Sequence, residues 1–229
     1  MLDKLLVSGS SYAPDIDKLF SLVTWLVGFW FVVAQLLLFY FICRFRRQPG
    51  VKARYITGDS RAQFAWVLVP LILVIACDGW IDVATAKVWH TIKEELPPAD
   101  DTVRITAQQW AWTFRHPGLD GKLDTADDII TVDQLHVQLD KVCHFELESR
   151  DVLHSFSVPV FRLKQDAIPG RTIKGWFKPI KEGQFDIQCT EICGMGHAMM
   201  AARIHIETPA AHAEWLKPKK AEETKGAFE

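Results

Sequence analysis

Residues Cys189 to Met200 read C-T-E-I-C-G-M-G-H-A-M-M, and four soft donors stand at fixed offsets in them: Cys189, Cys193, His197 and Met200. Thiolate and thioether sulfur select copper over hard cations, and imidazole with thiolate and a weak thioether is the ligand chemistry of electron-transfer copper. A single blue-copper centre uses one Cys and two His, so a second thiol in the same loop points to sulfurs bridging a copper pair. Such a pair needs a second imidazole and another weak donor from elsewhere in the chain, held in place by a rigid scaffold. Two other readings of the loop stay open at this point: a C-x3-C disulfide outside the cytoplasm, and two Cys with one His as part of a zinc site.

Upstream of the loop, apolar residues recur with a period of two. Val103, Ile105 and Ala107 alternate with polar residues, as do Leu135, Val137 and Leu139, then Cys143, Phe145 and Leu147, then Phe185 and Ile187. Pro117-Gly118, Pro169-Gly170 and Glu182-Gly183 punctuate these runs, and the clear helix start is Thr208 followed by Pro209. The pattern predicts a small β-sandwich or barrel of about 110 residues. A Greek-key sandwich carries function on the loops at one end. The second imidazole is therefore sought on a loop, and His154 in D-V-L-H-S-F-S-V-P is the candidate; His136, His144 and His205 alternate inside strand runs and read as surface or core residues.

Before this domain the chain is apolar. Leu19 to Cys43 contains no charged side chain; as a helix it is about 37 Å long, more than the roughly 30 Å hydrocarbon core of a bilayer. A cleaved signal peptide would be shorter and followed by small residues rather than by R-F-R-R. Arg44, Arg46, Arg47, Lys52, Arg54 and Arg61 then stand against the single acid Asp59, which places this loop on the cytoplasmic side. A second apolar run extends from near Phe64 to about Trp89 and carries Asp78 and Asp82 one turn apart. These acids read as packing against a partner subunit near the membrane surface, with a proton or ion path as the other reading. Two spans and an inside loop leave both termini outside. The net charge of -2 argues against nucleic acid as a partner. Cys43 and Cys77 in apolar runs, and Cys143 in a strand-like run, make no disulfide framework. The expected layout is an extracytoplasmic segment over 1–18, a first span over 19–43, a basic loop over 44–62, a second span over 63–89, a β-domain over 90–207, and a C-terminal helix and tail over 208–229.

Three ordered motifs, D-V-L-H-S-F around His154, K-Q-D-A-I-P-G-R from Lys164 to Arg171, and the Cys189–Met200 loop, resemble subunit II of the cytochrome c oxidases of the haem-copper superfamily. The resemblance runs from the first span to about residue 207. It implies a two-helix transmembrane hairpin followed by an all-β cupredoxin-like Greek-key domain that holds the dinuclear copper centre CuA. Cys189 and Cys193 would bridge the coppers, His154 and His197 would be terminal ligands, and Met200 and the backbone carbonyl of Glu191 would be weak ones, with Met199 as the nearby decoy. The Glu191 side chain would reach a magnesium ion held mostly by the catalytic subunit, and Asp166 and Arg171 would lie at the same boundary. In Q-W-A-W-T-F, Trp110 would receive the electron from cytochrome c while Trp112 and Phe114 pack. An alternating strand puts Trp110 and Trp112 on one face, so these two roles require a local departure from alternation.

The implied function is electron input to a membrane terminal oxidase, from cytochrome c to a haem in subunit I, where oxygen is reduced with proton pumping. The implied setting is a bacterial inner membrane with a periplasmic domain, beside subunit I and other oxidase subunits. No C-x-x-C-H occurs, so the donor cytochrome is expected to be a separate protein. An anchor subunit without copper ligands, as in related quinol oxidases, and a membrane-tethered copper carrier are the alternatives.

Some positions depart from the family pattern. Gln63 stands where a Glu is usual, which puts the family's proton intake there in doubt; Phe156 replaces a Trp and Gly196 an Asn. The insertion D-G-K-L-D-T-A-D-D carries Asp120, Asp124, Asp127 and Asp128. A calcium loop is one reading, but the EF-hand spacing and terminal Glu are absent, so it is taken as a solvated acidic loop whose charge could attract a basic cytochrome.

Overall fold

The computed structural model describes residues 7–53 and 55–217; Arg54 of the basic loop, the first six residues and the tail beyond residue 217 lie outside the described residues. Two long helices come first, α1 (Ala13–Arg44) and α2 (Arg61–Trp89), and α2 runs on into a single π-helical turn, His90–Glu94. Both are long and apolar enough to cross a membrane, with mean hydropathy of 2.3 and 2.2 in their most apolar windows. Their apolar side chains face outward all round, as in Phe29, Leu37, Phe41, Val69 and Ile75, the pattern of a span rather than of a core helix. Ser60 caps α2: its Oγ accepts from the Gln63 backbone N–H at 3.2 Å, and the Gln63 side-chain oxygen accepts from the Ser60 N–H at 3.4 Å. This reciprocal box works with Gln as well as Glu, which gives Gln63 a structural role that needs no ionisation.

The second unit is a sandwich of two five-stranded sheets. One has the order β3 (Ile129–Val132), β2 (Ala111–His116), β1 (Asp101–Gln108), β5 (Cys143–Ser149), β8 (Ile173–Phe177). The other has the order β4 (Gln134–Gln138), β10 (Ala201–Glu207), β9 (Gly183–Cys189), β6 (His154–Val158), β7 (Leu163–Ala167). Parallel pairing of β1 with β5 and of β10 with β4 requires long crossovers, which knit the sheets together in the Greek-key manner. The core lies between them, built from Ile105, Trp112, Phe114, Leu135, Phe145, Leu147, Phe156, Phe177, Ile187 and Ile204. Phe156 sits edge-on against Trp112 with ring centres 5.4 Å apart. Gly175 is the direct partner of Phe145 on the neighbouring strand of the same sheet, and a Cβ there would lie 2.3 Å from the Phe145 ring, so glycine leaves room for the ring to lie across β8.

The segment before α1 belongs to this unit rather than to the helices. Gly9 N–H donates to Val160 O at 2.8 Å, Ile180 N–H donates to Gly9 O at 2.8 Å, and Ser10 Oγ donates to Phe161 O at 2.9 Å. Tyr12 is buried edge-on against Trp176, with ring centres 5.4 Å apart. Residues 7–14 are therefore a strap on the sandwich, a long-range contact that no local pattern announces.

At the sandwich's other margin, α3 (Pro209–Trp215) is capped by Thr208 Oγ, which accepts from Ala211 N–H at 3.3 Å. Trp215 stacks on His136 at 4.3 Å, and His136 stacks on its strand neighbour His205 at 4.4 Å. The Glu207 carboxylate bridges His136 Nδ1 at 2.7 Å and His212 Nδ1 at 2.9 Å. His144 instead bonds Pro97 O at 2.8 Å. Burial holds His116, His136 and His205 below the ordinary imidazole range, His116 down to about 3. The unfolded chain takes up protons near pH 6.5 that these folded histidines refuse, so stability is full above that pH and is lost as pH falls toward the folded values. One such group costs about 1.4 kcal/mol per pH unit. Lowering the pH from 6.5 to about 5 should therefore remove about 2 kcal/mol or more of unfolding free energy, read as a shift in the urea midpoint. His116→Gln should flatten the slope; an unchanged slope would refute this account.

Candidate metal centre

The ligand-rich loop is the connection from β9 to β10, and pairing of those strands closes it: Cys189 N–H donates to Met200 O at 3.1 Å. Thr190 N–H donates to Ser155 O at 3.0 Å, which ties the loop to β6. β6 and β9 pair with Phe156 opposite Cys189, and His154 is the first residue of β6. A histidine 35 residues upstream thus reaches the loop, with Nδ1 at 3.9 Å from Cys189 Sγ.

The donors converge. Cys189 and Cys193 are free thiols with sulfurs 3.8 Å apart, which removes the disulfide reading because a bond needs about 2 Å. His154, Cys189 and Cys193 each offer one ligand atom within 4.8 Å of the others, and all three are buried. His197 Nδ1 lies 3.6 Å from Cys193 Sγ, Met200 Sδ lies 3.8 Å from it, and the Glu191 carbonyl oxygen lies 3.3 Å from Cys189 Sγ. A zinc site of two Cys and two His would leave the buried Met200 thioether and the Glu191 carbonyl without a purpose, since neither is a usual zinc donor. The set as a whole is soft, and it fits copper.

Successive tight turns orient the loop. His197 N–H donates to Gly194 O at 3.1 Å, Met199 N–H to Gly196 O at 3.0 Å and Met200 N–H to His197 O at 3.2 Å. In such a 3-10 turn residues three apart share a side, so His197 and Met200 face inward together. Met200 is 2% exposed and Met199 85%, and the geometry separates two methionines that stand side by side in sequence. Burial, with the Cys189 thiol alongside, pushes the Cys193 thiol up to about 11.

Asp151 was not among the residues singled out from sequence. Its Oδ1 stands 2.8 Å from His154 Nε2, and its Oδ2 accepts from the Gln109 backbone N–H at 2.7 Å. A partner on Nε2 leaves the Nδ1 lone pair free to face the sulfurs, the usual arrangement behind a metal-binding imidazole. Burial pushes the Asp151 carboxyl up, but the hydrogen bonds from His154, Gln109 and Val152 outweigh it and hold the group below its ordinary range. The only local signal was its place three residues before His154.

Trp110 is not on the β2 strand face. Gln108 and Ala111 pair directly, so Gln109 and Trp110 form the two-residue connection between β1 and β2, and the departure from alternation is this turn. Trp112 and Phe114 point into the core, whereas Trp110 is 40% exposed. Its Nε1 donates to the Cys193 carbonyl at 3.2 Å, and Gln109 Nε2 donates to the same oxygen at 2.7 Å. A Cβ on Gly196 would lie 2.4 Å from Trp110 Cδ2; the indole rests against the loop where a side chain would exclude it, which explains why glycine suits that position. Gln109 is a second residue that sequence reading passed over.

The acidic insertion does not serve this end of the domain. It follows β2 at the end away from Trp110, six residues or about 20 Å along the strand. Asp124 takes a two-pronged bond from Arg104 at 2.7 and 3.0 Å, and Asp128 bonds Arg115 at 3.1 Å. Asp124 and Asp128, paired with guanidinium groups and beyond about one Debye length from Trp110, are poorly placed to steer a partner there. Asp166 lies half-buried on β7, Arg171 is exposed, and Glu191 is half-buried.

Residues 101–207 match the family described as cytochrome c oxidase subunit II, periplasmic domain. The alternative cytochrome c oxidase subunit 2 of Bradyrhizobium diazoefficiens is 32% identical over 90% of this chain and 80% of its own. The chain belongs to the cytochrome c oxidase subunit II family. The cytochrome c oxidase subunit 2 of Cereibacter sphaeroides is 29% identical over 91% of this chain and 80% of its own. The crystal structure of the periplasmic domain of subunit II from Bradyrhizobium japonicum is 34% identical, covering 53% of this chain and 94% of that one with a TM-score of 0.47. Subunit II relatives are parts of oxidase complexes, and the two apolar helices followed by a β-sandwich are the cupredoxin-like architecture expected of the family.

Proposed function

We propose that this chain is the electron-input subunit of a membrane terminal oxidase, with a CuA centre held by Cys189 and Cys193 as bridges, His154 and His197 as terminal ligands, and Met200 and the Glu191 carbonyl as weak ones. The observation that carries the reading is the convergence of these six donors at one end of the sandwich, with spacings of 3.3 to 3.9 Å between neighbouring donor atoms. When bound, the copper pair would supply a one-electron relay. The chain's own residues supply the rest. Asp151 orients His154, the β-sandwich keeps the thiols and Met200 dry, and Trp110 presents an aromatic surface whose Nε1 touches the Cys193 carbonyl. Separate cytochrome c would meet the chain at Trp110, and electrons would leave toward haem in subunit I for oxygen reduction coupled to proton pumping. Glu191 would turn its carboxylate toward magnesium at that subunit boundary.

The strap supports the orientation. Residues 7–14 before α1 and 91–217 after α2 fold as one unit, so the hairpin would begin and end on one side of the bilayer, and the basic loop would be cytoplasmic. On this reading the sandwich and both termini would lie outside, in the periplasm of a bacterial inner membrane. The test is purification in mild detergent from cells that express the whole oxidase operon. Haem protein and copper should copurify with the chain in constant ratio. A stable copper-binding monomer without haem would favour a tethered copper carrier instead.

A further inference from the structure

The chain has four methionines, one of them Met1, and the other three fall within residues 195–200. Of those three, only Met200 is turned inward. Met195 is 97% exposed and Met199 85%, an unusual placement for flexible apolar side chains, and both flank His197 at a distance of two residues in M-G-H-A-M. The residues between them are Gly196 and Ala198, which carry too little to cover the sulfurs. His154, Cys189, Cys193 and Met200 are buried, so His197 is the one donor side chain of the site that reaches the surface.

We infer that Met195 and Met199, with the outer edge of His197, form a loading port that captures copper(I) and hands it to the buried cysteine pair; this rests on the copper reading of that pair. Thioethers and imidazole are soft, uncharged ligands that hold copper(I) in an exchangeable way, while the thiolates beneath bind it far more strongly. Transfer inward is therefore downhill. Each thiol that takes the metal releases its proton to water, and no electron moves because the metal arrives and is retained as copper(I). Exposed methionines could instead be a greasy rim beside Trp110 and Ile192 for a partner protein, a role that leucine would fill equally well.

Leucine therefore separates the two. The full chain in detergent, free of metal and with reduced thiols, is mixed with copper(I) held by bathocuproine, and loss of the chelator's colour reports uptake. Met195→Leu with Met199→Leu should reach the same final copper content as the parent, about tenfold or more slowly, because only the soft outer ligands are gone. In a Cys189→Ser, Cys193→Ser background, silver(I), a redox-inert probe, should still bind and should shift the methyl signals of Met195 and Met199; adding the two Leu changes should abolish that binding. Uptake by the Leu variant at the parent rate, or no silver binding in the Ser background, would overturn the port. A parent chain that takes up no copper would overturn the metal assignment itself.

Discussion

Cys193→Ser is expected to eliminate the shared-electron copper signal and to leave at most a weakly held single ion, while the parent, loaded with copper and then oxidised by one electron with ferricyanide, holds a copper pair with one unpaired electron spread over both. Cys193 is the hub of the site: its sulfur lies 3.8 Å from Cys189 Sγ, 3.6 Å from His197 Nδ1 and 3.8 Å from Met200 Sδ. A serine hydroxyl is a hard donor and cannot bridge two copper ions as thiolate does. Metal content and electron paramagnetic resonance on the full chain measure the effect. The full chain is the right material because a piece cut at residue 91 would lose Tyr12 and bare Trp176. The fold should persist, since the core residues around Phe156 and Ile187 are untouched. Zinc retained in preference to copper under competition, or a single copper in the parent, would sink the CuA assignment.

Trp110→Ala is expected to separate metal binding from electron delivery. Gln109 Nε2 already donates to the Cys193 carbonyl at 2.7 Å, so that oxygen keeps a partner when the indole is lost, and the copper spectrum should change little. Reduction by cytochrome c should nevertheless slow by on the order of a hundredfold, the scale of an aromatic hot spot worth about 3 kcal/mol in a small interface. Stopped-flow reduction at several ionic strengths measures this. Salt sensitivity in a chain with Asp124→Asn and Asp128→Asn should match that of the parent, because those acids are already paired with Arg104 and Arg115. Parent-like reduction of the Ala variant would make Trp110 an ordinary surface residue, and loss of copper would make it a support for the loop.

The different settings of Trp110, half-exposed, and Trp112, buried, show why tertiary structure had to intervene. Period-two reading puts both on one face, and nothing local marks the two-residue connection at Gln109 and Trp110 that turns one indole out and leaves the other in the core. Asp151 and Gln109 escaped notice for a related reason: a residue that acts through a hydrogen bond to a ligand has no spacing rule of its own. The acidic insertion shows the same limit: Asp124 looks free in the sequence until Arg104, twenty residues away, is brought onto it by the fold.

By itself the sequence determined the features that depend on short-range order. A charge-free run of 25 residues from Leu19 to Cys43 must avoid water whatever follows it, alternation of apolar residues commits a segment to a half-buried strand, and the soft donors from Cys189 to Met200 lie close in space because they lie close along one loop. The tertiary structure alone decided which side chains face inward and what reaches the loop from afar. Met200 rather than Met199 turns toward the thiols because the tight turns set its direction, His154 meets Cys189 because β6 pairs with β9, and residues 7–14 return to the sandwich across the whole helical hairpin. The last two are long-range contacts, settled by packing and strand register, and no short window of sequence contains both of their partners.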